Sequence, residues 1–164
     1  MNGPRLRCAT DTDIEFLHAV YASGRTEELA VVPWSAEQKA SFLRSQSEAQ
    51  LAYYAEHYPR AEFSIIVHDG SDIGRIFIEQ RNEDLRLMDM GLLPEHRGHG
   101  IGTALLRDIV ERAERIGLPV VLHVESFNPA RRLYERFGFV DDGEVGAYRR
   151  MLRPTGTPLG EVAA

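Results

Sequence analysis

Residues 97–102 read R-G-H-G-I-G, and they stand between an apolar, strand-like run at 85–93 and a helical pattern that begins at Thr103. Glycines at 98, 100 and 102 free the backbone to turn tightly with its N–H groups facing inward. The helix that follows adds the partial positive charge of its N-terminus, and Arg97 supplies a full charge beside it. Such a segment suits a pyrophosphate.

Three readings compete for this loop. A Walker A loop places a lysine after its last glycine, where this chain has Thr103, and Lys39 is its only lysine. A dinucleotide fingerprint needs G-x-G-x-x-G directly at a strand end. Here the spacing is G-x-G-x-G, with Pro94, Glu95, His96 and Arg97 between strand and glycines, and no second mononucleotide-binding half follows. A nicotinamide-dependent oxidoreductase is disfavoured on that spacing. The remaining alternative, a glycine-rich turn that binds nothing, is weakened by a second motif: residues 128–139 read N-P-A-R-R-L-Y-E-R-F-G-F and follow a short apolar run at 119–124.

Together, R-G-H-G-I-G-T-A-L-L and N-P-A-R-R-L-Y-E-R-F-G-F resemble the acyl-CoA signature of the GNAT superfamily of N-acetyltransferases, a likeness that covers roughly residues 5–152. The family pattern [RQ]-x-x-G-x-[GA] is met by Arg97, Gly100 and Gly102, and the second motif matches N-x-x-A-x-x-L-Y-x-x-x-G-F in a form one residue shorter between Asn128 and Tyr134. The resemblance implies a GNAT-like α/β fold: a mixed, mostly antiparallel central sheet flanked by helices. It also implies acetyl-CoA as acyl donor, with no metal.

The elements read outward from the loop agree. Residues 103–116 form an amphipathic helix with Leu105, Leu106, Ile109, Val110 and Ala113 on its apolar face, stopped by Gly117 and Pro119. Upstream, 5–8 is a short strand, Thr10 or Asp11 caps a helix to about Ser23, and Gly24 ends it. Residues 25–34 read as a loop, Ser35 opens a long helix to about His57, and Pro59 stops it. Strands at 63–68 and 73–80 are joined by a D-G turn at 69–72. Downstream, 120–124 is a strand, 129–137 a short helix, and 139–152 a strand pair bent at Gly143 or Gly146. Residues 153–164 lack apolar periodicity and are expected to form a flexible C-terminal tail behind a single domain at 1–152.

Acyl transfer to an amine needs a thioester aligned with the nucleophile, a route for the amine proton and a donor for the leaving thiolate. By resemblance, the backbone of Met90, Gly91 and Leu92 pairs with the pantetheine arm as an added strand would. Arg97, Gly98, His99, Gly100, Ile101, Gly102 and Thr103 hold the pyrophosphate. Asn128 bonds the pantetheine or caps the helix it opens, and Arg131 or Arg132 meets the adenosine phosphate. Tyr134 is the expected acid, since a phenol with an unperturbed pKa of about 10 is protonated at neutral pH.

The base stays open among several groups. Asp89 interrupts the apolar run L-R-L-M-D-M-G-L-L, where a carboxylate must be paired, with Arg86 as a candidate partner. The alternative is a structural acid. His123, in V-V-L-H-V-E, matches the base position of some ribosomal-protein acetyltransferases of the family, and Glu125 shares its strand face. Glu79 is a weaker candidate, the alternative being a solvent-exposed acid. For the acceptor, Glu27, Glu28 and Trp34 with Tyr53, Tyr54, His57 and Tyr58 offer carboxylates and rings to a cationic amine, although surface charge and sheet packing account for them equally.

A chain of 164 residues can bury a core without staples. A net charge of −6 and pI near 5.5 argue against general affinity for nucleic acid or anionic membrane. Cys8, the lone cysteine, forms no intrachain disulfide, and nothing marks it as an acyl-carrying thiol. His96 and His99 lack metal-ligand spacing. With no signal-like N-terminus and no run of about 18 apolar residues, a cytoplasmic protein is expected. The preponderance of arginine over lysine reads as genome composition. The expected reaction is direct transfer in a ternary complex to a primary amine of a small molecule, a peptide N-terminus or a protein lysine. The alternative is a non-catalytic acyl-CoA or CoA sensor. The resemblance also makes a homodimer an expectation.

Overall fold

The computed structural model describes residues 2–126 and 128–160. Seven strands are hydrogen-bonded in the order β1-β2-β3-β4-β5-β7-β6: β1 Arg5–Cys8, β2 Glu62–His68, β3 Ser71–Gln80, β4 Leu85–Leu92, β5 Val120–Glu125, β6 Val140–Val145 and β7 Tyr148–Arg153. The helices are α1 Ile14–Ser23, α2 Thr26–Ala30, α3 Ala36–His57, α4 Ile101–Ile116 and α5 Ala130–Arg136. This is the expected α/β class with a mostly antiparallel sheet. β4 and β5 form a parallel pair, whereas β1–β2, β5–β7 and β6–β7 are antiparallel. Among the described residues, no helix is long and apolar enough to cross a membrane.

Packing divides the chain into two compact units, Met1–Phe77 with Asp89–Arg97 and Ile78–Met88 with Gly98–Ala164. In the first, the β2–β3 hairpin turns on Asp69 and Gly70, with φ of 49° and 77°. Two consecutive positive φ values make the turn that matches strand twist, so the connection is two residues rather than the four expected. Ile65, Ile66, Ile73, Ile76 and Phe77 from this hairpin are buried, as are Leu17 and Val20 of α1. α1 and α3 are tied by a 2.7 Å hydrogen bond between His18 Nδ1 and Ser47 Oγ, both buried, and by the Arg44–Glu15 ion pair. Ser35 caps α3 by accepting from the Gln38 N–H, and the Gln38 side chain accepts from the Ser35 N–H.

Residues 26–30 are helical where a loop was expected; T-E-E-L-A places two acids in the first turn, which favours a helix start. Gly74 of β3 lies close to β4, so that a Cβ there would stand 2.2 Å from the Gly91 carbonyl oxygen and 2.9 Å from Leu92 Cδ2.

The second unit is built on α4, whose predicted apolar face, Leu105, Leu106, Ile109, Val110 and Ala113, is buried together with Ile101. The helix starts two residues before the expected Thr103, because Gly100 serves as its N-cap in a left-handed conformation. β5 pairs with β4 at Val120–Leu122 and with β7 along its whole length, from Val120↔Arg153 to Glu125↔Tyr148. The final hairpin reverses at Gly146, with φ of 61°, while Gly143 lies in the irregularity between Asp141 and Glu144.

β7 also runs one residue past the expected domain end. Arg153, 1% exposed, donates to the Phe137 carbonyl, Glu114 and the Thr157 carbonyl, and Gly156 N–H donates to Glu114. These bonds hold the Glu114 carboxyl below the usual carboxylate range, the Arg153 guanidinium contributing most.

Candidate active site

The glycine loop takes the shape its composition favours. Gly98 and Gly100 have φ of 77° and 80°, a region side chains avoid, and a Cβ at 98, 100 or 102 would meet nothing within 4 Å. Gly102 and Thr103 lie within the first turn of α4. In that turn the backbone N–H groups lack intrahelical acceptors, so the loop in the second unit offers donors, open space and a helix N-terminus of sixteen residues' dipole. His99 is exposed and Ile101 is buried.

In the first unit, the Arg97 guanidinium turns back rather than standing free. Its Nε donates to the Leu92 carbonyl at 2.9 Å, and Nη2 reaches the Ser23 carbonyl and hydroxyl at 3.4 Å. Met90, Gly91 and Leu92 are half-buried residues at the end of β4.

Asp89 finds its partner across the sheet, not along the strand. Arg75 Nε of β3 donates to Asp89 Oδ2 at 2.7 Å, whereas Arg86 pairs with Asp84 at 3.3 Å. Arg75 is 2% exposed; its Nη2 donates to Gln50 Oε1 at 2.7 Å, and its guanidinium lies 4.7 Å from the Phe77 ring centroid. Sequence reasoning did not single out Arg75 or Gln50. The signal available was a second lone charge in an apolar run, I-G-R-I-F-I, matching the lone Asp89; the pairing itself depends on β3–β4 register.

Among the other acceptor-side residues, Glu27 and Glu28 are exposed and Glu28 is paired with Arg25. Trp34 packs edge-on against Phe42, Tyr53 stacks on His57 at 4.2 Å, and Tyr54 packs on Phe77. The rings are thus mostly engaged with one another.

In the second unit, His123 is an exposed residue of β5 opposite Arg150 of β7. Partial burial and the charges of Arg86, Arg150 and Arg81 hold its imidazole below the ordinary value, favouring the neutral ring. Glu79 is 4% exposed, which removes the solvent-exposed alternative, and pairs with Arg81 at 2.7 Å. Tyr134 of α5 is 8% exposed and packs edge-on against Phe139.

Asn128 Oδ1 accepts from the Ala130 N–H at 2.9 Å, the local bond expected of an Asn that opens a helix. Arg131 reaches the Ser126 carbonyl and Asp141, and lies 3.3 Å from Glu135. Ser126, Asn128, Pro129, Arg131, Arg132 and Glu135 line an open hollow of about 500 Å³. Among the described residues, no three His, Cys, Asp or Glu side chains form a group able to hold a metal ion.

Comparison with known proteins finds similarity to acetyltransferases. The family model described as acetyltransferase (GNAT) matches residues 26–139. A mycothiol acetyltransferase of Brachybacterium faecium is 29% identical over 125 residues, which cover 72% of this chain and 36% of that protein; the chain spans about a third of its length. A Bacillus subtilis protein named as an alanine N-acetyltransferase of ribosomal protein bS18 is 29% identical over 136 residues, covering 80% of this chain and 77% of that one. Among solved structures, the PaiA N-acetyltransferase of Thermoplasma acidophilum, in complex with coenzyme A, superposes with a TM-score of 0.70 at 21% identity, covering 93% of this chain and 99% of that chain. At that identity the likeness is one of fold.

Proposed function

Because the chain belongs to the GNAT acetyltransferase family, we propose that it transfers the acetyl group of acetyl-CoA to a primary amine of a small molecule, a peptide N-terminus or a protein lysine. The observation that carries the reading is the loop at Gly98 and Gly100. Two left-handed glycines with open space where side chains would stand, followed by a long helix, form a cradle that fits a pyrophosphate. Gly98, Gly100, Ile101, Gly102 and Thr103 would hold the donor through backbone N–H groups, with Arg97 and His99 beside them. Met90, Gly91 and Leu92 would align the pantetheine through their backbone. Asn128 would bond the pantetheine arm or cap the helix it opens, and Arg131 or Arg132, which line the hollow with it, would meet the adenosine phosphate.

Bound acetyl-CoA supplies an activated acyl group as a thioester. The amine nitrogen forms the new bond to the acyl carbon, the carbon–sulfur bond breaks, and one proton leaves nitrogen while another reaches sulfur. His123 is assigned the first proton, since its surroundings favour the neutral imidazole that a base must present. The Tyr134 hydroxyl is assigned delivery of the second. Transfer is direct, in a ternary complex. The name of the Bacillus subtilis relative points to a peptide α-amine as the first acceptor to try.

The test is calorimetric titration with acetyl-CoA, with NADH as control, followed by thiol-release assays. The acceptor panel comprises alaninamide, an Ala-initiated tripeptide, N-acetyl-lysine amide carrying a free side-chain amine, and phenethylamine. Micromolar acetyl-CoA binding with acetylation of at least one acceptor is expected. NADH binding in its place would overturn the family chemistry, and donor binding with no turnover across the panel would overturn the catalytic reading in favour of a sensor.

A further inference from the structure

We propose that Arg75 is a positioning residue for the acceptor: buried on β3, it clamps one oxygen of Asp89 and leaves the other to accept a hydrogen bond from the incoming primary amine. The inference rests on the acetyl-transfer reading and deepens it, because it assigns the amine contact to a carboxylate and favours acceptors that arrive as ammonium ions, which lose one proton to solvent before the nitrogen attacks and a second during transfer.

The argument begins with the cost of burying a guanidinium. Five N–H donors and a full charge at 2% exposure require acceptors in fixed directions and an anion. Nε meets Asp89 Oδ2 at 2.7 Å, Nη2 meets Gln50 Oε1 at 2.7 Å, and Nη1 points to the Leu17 carbonyl at 3.5 Å. Arg75 thereby ties β4 to α3 and α1, and its one carboxylate partner among the described residues is Asp89. The clamp uses one Asp89 oxygen. Oδ1 has no partner among the described residues, and the side chain is 29% exposed. A carboxylate can accept about four hydrogen bonds, so the clamp leaves acceptor capacity on a side chain that is partly exposed.

Competing groups are already engaged. Both Arg25, at 5.0 Å, and Arg75, at 5.7 Å, lie against the Tyr21 ring, so its face is an unfavourable place for a further cation. Glu28 is held by Arg25 on an exposed helix, and Glu27 is in solvent, where an ion pair is worth little. Of these three carboxylates, the half-buried Asp89, oriented by a buried partner, is the best prepared to form a charge-assisted bond to an ammonium.

Asp89→Asn, Arg75→Lys and the double variant test this against the fastest acceptor of the panel. Acetyl-CoA affinity is read separately by calorimetry, and folding by thermal melt. In Asp89→Asn the amide oxygen is drawn to Arg75, and its NH2 then faces the amine. Acceptor KM is expected to rise at least tenfold, with kcat changed less than about threefold and acetyl-CoA affinity unchanged. Arg75→Lys keeps the charge and loses the fork, so acceptor KM rises by a smaller factor. In the Asp89→Asn background the same change adds nothing further, because Arg75 acts through Asp89.

An unchanged acceptor KM in Asp89→Asn overturns the proposal, as does a fall in kcat alone, which would make Asp89 the base. Full additivity of the two changes reduces Arg75 to a structural role and overturns it as well. Asp89→Asn is isosteric, so its result stands even if Arg75→Lys fails to fold. A parent protein that does not bind acetyl-CoA refutes the functional reading; normal donor binding and turnover with insensitive acceptor kinetics refutes this inference alone.

Discussion

Exchanging two glycines of the loop for alanine, one at a time, separates backbone strain from ligand contact. Gly100 is the N-cap of α4 with φ 80° and ψ 4°, whereas Gly102 lies inside the helix. An alanine held in the left-handed region costs about 1–2 kcal/mol. For a chain of this size one kcal/mol corresponds to roughly 2–4 °C in Tm, so Gly100→Ala is expected to melt about 2–8 °C lower. Gly102→Ala gains about 0.5–1 kcal/mol of helix preference and is expected to melt about 1–4 °C higher.

Neither methyl meets protein within 4 Å, so any further effect is on a ligand. At Gly100 the methyl and the altered backbone enter the proposed phosphate cradle, and acetyl-CoA affinity should fall at least about tenfold, or about 1.4 kcal/mol. At Gly102 the backbone remains helical, and affinity should stay within about threefold. Differential scanning fluorimetry and calorimetric titration measure both quantities on the same samples. Parent-like acetyl-CoA affinity in Gly100→Ala would refute the cradle, and a lowered Tm in Gly102→Ala would refute the placement of the helix start.

Three further outcomes are expected. Tyr134→Phe should lower kcat about 100-fold or more with acetyl-CoA affinity within twofold, as measured by single-turnover kinetics; full turnover would remove Tyr134 from the chemistry. His123 disfavours its charged form, so the acid limb of kcat/KM should lie below the ordinary imidazole value of about 6.5. The ring's contribution to stability follows the same sign: it is complete above the unfolded value and lost as pH falls through the folded one. A limb above pH 7 that vanishes in His123→Gln would contradict this assignment. Finally, Gly74→Ala drives a methyl to 2.2 Å from the Gly91 carbonyl oxygen, so β3 or β4 must shift by about 1 Å. Overpacking of that kind costs about 1–3 kcal/mol, and a parent-like melting curve would show that the strands give way freely.

What the sequence revealed was what local periodicity and turn chemistry determine. The five apolar positions of α4 repeat at helical spacing and all five are buried. Asp69-Gly70 names its own turn, and Ser35 with Gln38 caps α3 by a bond readable three residues apart. The start of α4 was misread because Gly100 caps it by conformation alone and offers no side-chain oxygen to recognise. Non-local pairings were beyond reach for a different reason. Asp89 clearly needed a partner, but Arg86 and Arg75 were indistinguishable without the register that sets Arg75 beside it. For Glu79 a surface acid stays open as an alternative in the sequence because alternation within β3 does not reveal that both faces of that strand are covered: every residue from Ile73 to Glu79 is buried.

Arginine usage shows how composition and geometry divide. Nineteen Lys and Arg residues include a single lysine, Lys39, a bias that composition alone would explain if the positions were interchangeable. In energy the exposed ones nearly are: Arg44 pairs with Glu15 and Glu48 in solvent, where an ion pair contributes little. Arg75 and Arg153 are not. Each is at most 2% exposed, and each sends donors in three directions to acceptors on different elements. A lysine has one point of charge on a flexible stem and could not satisfy three fixed acceptors at once. Every buried acceptor left without its donor costs about 1–3 kcal/mol, a large share of the stability of an ordinary domain. Composition can set the number of arginines on the surface, but at these two buried positions the planar fork is what the surrounding carbonyls and carboxylates require.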